Sequence, residues 1–277
     1  MARSGVAAGT YSFEPNAGLG AELARRGLER PSLEQQRLMA RQDISIAFVD
    51  ELKARGGTPV SLASLLNAAQ HGVNLEFARE LGALGYQNLP LDELVRLRDH
   101  GVNADYIREL EGLGYRKLPL QELVILRNHG VDPEYVQELG GLGYTKLSLQ
   151  ELVNLRNHGV DPDYIRELRE LGYGSLGLEQ LINLRNHGVD PDYISDMSAL
   201  GYSRLSLEAL IDLRNHGIDS DYIRDLQRVG YQKLPIEDLV DLRNHGVDAD
   251  DVRRANARAG SRLSVDRLIV LASRGWR

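Results

Sequence analysis

Seven His-Gly dipeptides recur along this chain at a constant interval of 29 residues. The histidines are His71, His100, His129, His158, His187, His216 and His245, and no other histidine is present. Two tyrosine series keep the same interval, one through Tyr164 and one through Tyr173. A fixed period of this size is the signature of a repeat protein, in which each repeat packs on its neighbours. The chain is therefore predicted to be a tandem array.

The period extends beyond the histidines. Close copies of one repeat begin at Gly72, Gly101, Gly130, Gly159, Gly188 and Gly217. Weaker copies cover 14–71 and 246–274, so nine repeats tile residues 14–274, preceded by a lead-in (1–13) and followed by a tail (275–277). The degenerate copies lie at the ends of the array, where a stack of repeats needs caps whose outer face tolerates water.

Each repeat is predicted to form two short helices. In the repeat that begins at Gly130, Asp132-Pro133 is an N-cap followed by a proline at the first helical position, and Gly143 ends this helix. Ser148 and Glu151 form a capping box for a second helix, which ends before Gly159. Helices this short are stable only when they pack on neighbours. The predicted fold is therefore an all-α, superhelical α-solenoid of nine two-helix repeats.

Composition limits the functional classes. The net charge is −7, which argues against a protein built mainly to neutralise phosphates. There is no cysteine, and no apolar stretch approaches the ~20 residues needed to cross a bilayer. No phosphate-binding loop or zinc-protease motif is present, and no departure from the repeat indicates an active site. The sequence therefore predicts a non-enzymatic protein that has no cofactor or metal and does not insert into a membrane.

The recurring polar residues have structural interpretations. The Arg-Asn-His run that ends each second helix complements the helix dipole and can bind free carbonyls. Equivalent histidines of stacked helices lie about 8–10 Å apart, whereas zinc ligands must come within about 2.1 Å of the metal, so a shared zinc site is not expected. The Tyr164 series is predicted to pack in the core with its hydroxyl on a neighbouring backbone group, and the Tyr173 series to pack back on its helix end.

Positions that vary between repeats are the candidates for binding a partner. Within the second helix these are Arg96, Ile125, Asn154, Asn183, Asp212 and Asp241. In the loop between the helices they include Arg116, Lys117, Lys146, Arg204 and Lys233. Residues that change while the scaffold is kept are expected to be exposed, and a set on one face would select the partner. Neutral drift on an idle surface is the alternative.

The repeat, GVDPDYIRELRELGY (159–173) with LGLEQLINLRNHG (176–188), resembles helical repeats near the C-terminal ends of uncharacterised bacterial proteins. Some of those proteins also carry a membrane metallopeptidase domain like that of β-lactam-sensing antirepressors. The lead-in around Gly9–Asn16 is similar to the segment that precedes such repeats. The resemblance implies a bacterial accessory or sensory module, but not peptidase activity, because the H-E-x-x-H motif is absent.

The His-Gly ending and the approximate repeat length also resemble transcription-activator-like effector repeats, which wrap DNA. This resemblance implies nucleic-acid binding through the loop residues or through a row of arginines, namely Arg98, Arg127, Arg156, Arg185, Arg214 and Arg243. On this interpretation the arginines form an exposed basic track, and the alternative is that they pair with acids of the next repeat.

Three functions therefore remain open: a scaffold that binds protein or peptide, which the uninterrupted repeat favours, a nucleic-acid binder, and a self-assembling structural rod. The first residues contain no hydrophobic run that resembles a signal peptide, so a cytoplasmic location is the default expectation. An extracytoplasmic location is the alternative if the chain is part of a longer protein.

Overall fold

The structure is a computed structural model that describes residues 13–54 and 60–276. Its helices are α1 (Leu19–Arg25), α2 (Leu33–Arg41), α3 (Ile46–Ala54), α4 (Leu62–Gln70), α5 (Leu75–Ala83), α6 (Leu91–Asp99), α7 (Ala104–Gly112), α8 (Leu120–Asn128), α9 (Pro133–Gly141), α10 (Leu149–Asn157), α11 (Pro162–Glu170), α12 (Leu178–Asn186), α13 (Pro191–Ala199), α14 (Leu207–Asn215), α15 (Ser220–Arg228), α16 (Ile236–Asn244), α17 (Ala249–Ala259) and α18 (Val265–Ser273). No strand occurs within the described ranges. The all-α class is confirmed, and the lead-in lies outside the described residues except for Phe13.

The chain divides into two compact units at the start of α9. The N-terminal unit extends through Pro133 and the C-terminal unit begins at Glu134. In the N-terminal unit α2 packs on α4 and α4 on α6, while α3 packs on α5 and α5 on α7. In the C-terminal unit α11, α13, α15 and α17 pack in succession, and so do α14, α16 and α18. Each unit is therefore an α-solenoid, because first helices stack on first helices and second helices on second helices.

Each helix pair contributes the same few side chains to the core. In the pair α11–α12, Tyr164, Ile165 and Leu168 of the first helix and Leu181 and Leu184 of the second are at most 2% exposed. They recur at helical spacing, so one face of each short helix is apolar. Burial of these faces between successive pairs stabilises helices that are too short to persist alone.

The helix ends follow the local rules that the sequence predicts. The carboxylate of Asp161 accepts a hydrogen bond from the backbone N–H of Tyr164 at 2.8 Å, and Pro162 occupies the first position of α11. Gly172 has φ +93°, and the N–H of Tyr173 donates to the carbonyl of Leu168 at 2.9 Å, which is a Schellman closure. The predicted capping box of Ser148 and Glu151 is also present.

The N-cap of the second helix is not the same in every pair. Proline occupies it at Pro90, Pro119 and Pro235, and glycine at Gly177. Gly177 has φ −72° and ψ 162°, close to the −67° and 159° of Ser148. Its N–H already donates a hydrogen bond to Oε1 of Gln180 at 2.9 Å. The capping box of α12 therefore lacks only the side-chain oxygen that a serine at position 177 would supply.

We therefore expect Gly177→Ser to raise the free energy of unfolding by about 0.5–1 kcal/mol, since serine supplies the cap and restricts the unfolded chain. Urea denaturation measures the change. Ser148→Gly in the matched cap should lower stability by a similar amount. Equal stability of Gly177→Ser and the parent chain would contradict the assignment of the box.

Candidate interaction surface

The recurring arginines are engaged inside their own helix pairs. The guanidinium carbon of Arg185 lies 3.8 Å from the centre of the Tyr164 ring, and Arg214 lies 4.2 Å from that of Tyr193. The same stack, at 4.0–4.6 Å, joins Arg98 to Phe77, Arg127 to Tyr106, Arg156 to Tyr135 and Arg243 to Tyr222. Such stacks are cation–π contacts that also cover the apolar stem of the arginine.

Hydrogen bonds hold these guanidinium groups as well. Nε of Arg214 donates to the carbonyl of Gly188 at 2.6 Å, and Nη2 lies 3.4 Å from the carboxylate of Asp190. The side chain of Arg214 is 30% exposed. The acid belongs to the same helix pair, and Arg185 lies 3.4 Å from Asp161 of its own pair in the same way. The arginines are part of the scaffold and do not form an open basic track.

Histidines link successive helix pairs. Nδ1 of His158 lies 2.6 Å from Oδ1 of Asn186 in the next pair, and His216 bonds Asn244 in the same way at 2.7 Å. Nδ1 of His187 and of His245 instead contacts a carbonyl of its own helix at 2.8 Å, as the helix-end interpretation predicts. Among the described residues no group of three or more histidine, aspartate or glutamate side chains is arranged to hold a metal ion.

Both tyrosine series donate hydrogen bonds to the following helix pair. The hydroxyl of Tyr164, buried in the core, reaches the carbonyl of Val189 at 2.8 Å, which confirms the prediction for this series. The hydroxyl of Tyr173 reaches the carbonyl of Leu205 at 2.9 Å. The backbone of Tyr173 does pack back on its helix end, but its side chain extends forward to the next pair.

Ion pairs join acidic and basic side chains on the outer face of several first helices. Arg166 pairs with Glu138 of the preceding pair at 2.6 Å and also with Asp163 of its own helix. Arg224 pairs in the same two ways, with Asp196 at 3.3 Å and Asp221 at 2.8 Å. Each such surface pair adds little stability.

The variable positions of the second helices lie on a different face and are exposed to different degrees. In the N-terminal unit, Arg96 is bound to Glu93 at 2.6 Å and to Gln121 at 3.0 Å, and Ile125 is half-buried. In the C-terminal unit, Asn154, Asn183, Asp212 and Asp241 are all exposed. Exposure of the variable side chains, expected from the sequence, therefore holds for the C-terminal unit and only in part for the N-terminal one.

Asn154 and Asn183 line one groove in the C-terminal unit. Its volume is about 470 Å³, and Gln180, Ile182 and Asn186 complete it together with Glu179. The side-chain amides of Asn154 and Asn183 have no hydrogen-bond partner within the described part of the chain. The groove therefore combines free amide groups with the half-buried apolar side chain of Ile182.

Carboxylates accumulate on the second helices that follow this groove. Glu208 and Asp212 of α14 and Glu237 and Asp241 of α16 are exposed, and within residues 13–54 and 60–276 no lysine or arginine pairs with them. Asp212 has only a weak contact with His216 at 3.4 Å. Glu208 and Glu237 are not among the candidates predicted from the sequence, although an acid recurs at the second position of these helices.

Asp238 is the half-buried member of this acidic face. Burial raises its pKa above the ordinary value of 3.8, and the negative charges of Asp266, Asp241 and Glu237 raise it further. A carboxylate that is partly desolvated among like charges is destabilising in its ionised form. This region is therefore electrostatically unfavourable in the chain by itself.

The loop residues selected from the sequence lie in the turns between paired helices. Arg116, Lys117, Lys146, Arg204 and Lys233 are all exposed, which agrees with expectation. All except Arg116 have a left-handed backbone, with φ between 50° and 59°. In the C-terminal unit the cationic turns are interrupted at Gly174-Ser175, so the structure does not bring them into one continuous basic row.

No helix within the described ranges combines the length and apolarity needed to span a bilayer. Comparison with known proteins finds no family model and no curated protein that matches the chain.

Proposed function

We propose that the chain is a non-enzymatic helical-repeat scaffold that binds an extended, basic segment of another protein. The binding surface is the second-helix face of the C-terminal unit, from the groove at Asn154 and Asn183 to the carboxylates of α14 and α16. The observation that carries the proposal is that this face combines a groove lined by the free amides of Asn154 and Asn183 with the unpaired carboxylates of successive second helices.

The amides of the groove suit a polypeptide backbone. An asparagine side chain both donates and accepts hydrogen bonds, so it can pair with the N–H and C=O of a peptide in an extended conformation. Asn154 and Asn183 occupy equivalent positions of successive second helices, α10 and α12, which pack on each other. A peptide that crosses these helices would meet one amide for each helix pair.

The carboxylates select the charge of that peptide. Asp212 and Asp241 occupy the same position two and three helix pairs after Asn154, and Glu208 and Glu237 lie one turn before them. Lysine or arginine side chains of a partner would supply the cations that the chain itself does not place there. Such complementarity speeds association and discriminates against acidic partners.

Binding of a labelled peptide of alternating lysine and serine tests the proposal, with fluorescence anisotropy as the measurement and a glutamate-serine peptide as the control. We expect the basic peptide to bind and its affinity to fall as salt increases. Asp212→Asn with Asp241→Asn should weaken it about fivefold at low salt, since exposed pairs contribute about 0.2–1 kcal/mol each. Asn183→Ala should weaken it at high salt as well.

Asp192→Asn is the matched control, because Asp192 is an exposed carboxylate of α13, on a first helix. Equal losses in Asp192→Asn and in the double variant would indicate a general charge effect and contradict the site. Binding of duplex DNA in place of the peptide would favour the nucleic-acid function. Concentration-dependent assembly without peptide binding, measured by sedimentation, would favour the structural rod.

Asp238→Asn separates binding from folding. Because the folded-state pKa of Asp238 is raised, its ionised form destabilises the fold once the pH rises through that pKa. The neutral variant should therefore unfold at a higher temperature than the parent at pH 7, and the difference should vanish in acid. The same variant should bind the basic peptide more weakly. If Asp238 had no role in binding, Asp238→Asn would raise the unfolding temperature without weakening the binding of the peptide.

The likeness of the repeat to bacterial C-terminal helical repeats supports a further part of the proposal, that the chain acts as an accessory or sensory module of a larger bacterial protein. Detection of the native polypeptide by antibody, and comparison of its mass with the 30.8 kDa of this chain, tests this part separately.

A further inference from the structure

The last helix pair departs from the repeat at a cavity of about 350 Å³ between α17 and α18. Its apolar lining includes Ala255, Leu263, Leu271 and Trp276. Three arginines, Arg254, Arg258 and Arg267, also line it, together with Asp251. The residues at which this pair differs from the repeat were attributed above to a terminal cap. Several of them line this one cavity.

Two core side chains of the repeat are reduced here. One repeat earlier, the positions of Asp251 and Ala255 hold Tyr222 and Leu226, which are buried. Replacement of a tyrosine by an aspartate and of a leucine by an alanine removes the side chains that fill this part of the other pairs. The last pair therefore carries smaller side chains at the cavity than the preceding pair does at the equivalent positions.

The charge of the site is reversed relative to the repeat. Arg254 and Arg267 stand where the preceding pair has Asp225 and Asp238, and Arg258 stands at a valine position. Arg254 pairs with Asp251, the one buried charged residue among those that the structure describes. The guanidinium of Arg267 has no partner within the described ranges. The cavity thus has a net positive charge.

Trp276 is held against this cavity by an uncommon backbone conformation. Its φ is +61°, which is rare for a bulky side chain. Its N–H donates to the carbonyl of Leu271 at 2.7 Å, and its own carbonyl accepts a hydrogen bond from Arg258 at 3.1 Å. Backbone strain of this kind often marks a binding site.

We propose that this cavity binds a carboxylate attached to a compact apolar group, with an aromatic group favoured. The arginines match a carboxylate in charge and geometry. The indole of Trp276 and the aliphatic lining match an apolar body, and the volume is at the lower end of the range for small-ligand sites. Two sources offer this chemistry: a free small organic acid and the C-terminal residue of a peptide.

Fluorescence of the full chain tests the proposal directly, because Trp276 is its single tryptophan. Titration with 3-phenylpropionate should give a saturable change with a dissociation constant of about a millimolar or below. The neutral 3-phenylpropionamide should bind at least tenfold more weakly. Acetyl-glycyl-phenylalanine with a free carboxylate should bind more tightly than 3-phenylpropionate if peptides are the source, and more weakly if small acids are.

Substitutions locate the binding in the cavity. Arg267→Gln should weaken 3-phenylpropionate about tenfold, while Arg253→Gln, an equal change of charge on α17 outside the cavity lining, should leave it unchanged. Ala255→Leu returns the side chain of the other repeats to this position. It should abolish the titration without lowering the unfolding temperature.

Several results would overturn the site. The first two are the absence of a saturable fluorescence change with both acids, and equal affinity for 3-phenylpropionate and its amide. The other two are an equal loss of affinity in Arg267→Gln and Arg253→Gln, and undiminished binding by Ala255→Leu. If Ala255→Leu instead changes the sedimentation of the chain and no acid binds, the cavity is a contact between copies and the ligand proposal fails.

Discussion

Raising the pH above 10 is expected to destabilise this protein and to unfold its C-terminal unit. Burial raises the pKa of Tyr106, Tyr135, Tyr164 and Tyr222 to about 12, and it raises that of Tyr193 as well. The arginine on each ring lowers the pKa, but burial is the larger effect. In the unfolded chain these hydroxyls titrate near 10. The folded protein therefore holds its phenolic protons more tightly than the unfolded chain does.

The sign of the pH dependence follows from this difference. Below pH 10 the hydroxyls are protonated in both states, and the stability that they contribute is fully present. Between pH 10 and about 12 the unfolded chain loses protons that the folded chain retains, so stability falls. A shift of about two pKa units corresponds to about 2.7 kcal/mol for each tyrosine. Tyr135, Tyr164 and Tyr222 all lie in the C-terminal unit, so their combined effect approaches the whole stability of an ordinary domain.

Circular dichroism and near-ultraviolet phenolate absorbance, recorded on the same sample over pH 8 to 12, measure this effect. Loss of helix and ionisation of the buried tyrosines should occur in one transition. Burial also raises the pKa of Tyr86, Tyr173 and Tyr202, so these half-buried tyrosines are expected to share it. Ionisation of all tyrosines near pH 10 with the helices intact would show that the hydroxyls are not held as the structure places them.

Tyr164→Phe should lower the free energy of unfolding by about 1–3 kcal/mol, because it leaves the buried carbonyl of Val189 without its hydroxyl donor. The ring and its contact with Arg185 are expected to remain. Phe77 already shows this, since Arg98 stacks on its ring at 4.6 Å without any hydroxyl. The loss therefore measures one hydrogen bond between successive helix pairs.

Phe77→Tyr is the matched reverse change in the N-terminal unit. By the register of the repeat its hydroxyl would be directed at the carbonyl of Val102, as Tyr106 is directed at Val131 at 2.8 Å. We expect this variant to be as stable as the parent chain or more stable in urea denaturation. A loss in Phe77→Tyr equal to that in Tyr164→Phe would mean that packing around the ring, not the hydroxyl, determines the cost.

Local signals in the sequence were enough to predict the helices. Asp161 before Pro162 and Gly172 before Tyr173 act within a few residues of the chain, so their roles follow from backbone chemistry that is the same in any context. The period of 29 residues then determined that each helix pair meets a copy of itself, and hence the α-solenoid. The buried role of the Tyr164 series followed from the same pattern.

Only the tertiary structure decided which polar side chains are paired and which are exposed without a partner. Arg185 was equally compatible with an exposed basic track until the ring of Tyr164 was placed 3.8 Å from it. The carboxylates of α14 and α16 are recognisable as unpaired only once the packing of these helices is known, since cations on other helices could have reached them. The cavity at Trp276 likewise depends on Ala255 and Leu271, which lie on different helices. Helix ends are set by neighbours in the chain, whereas pairing and cavities depend on which distant side chains the fold brings together.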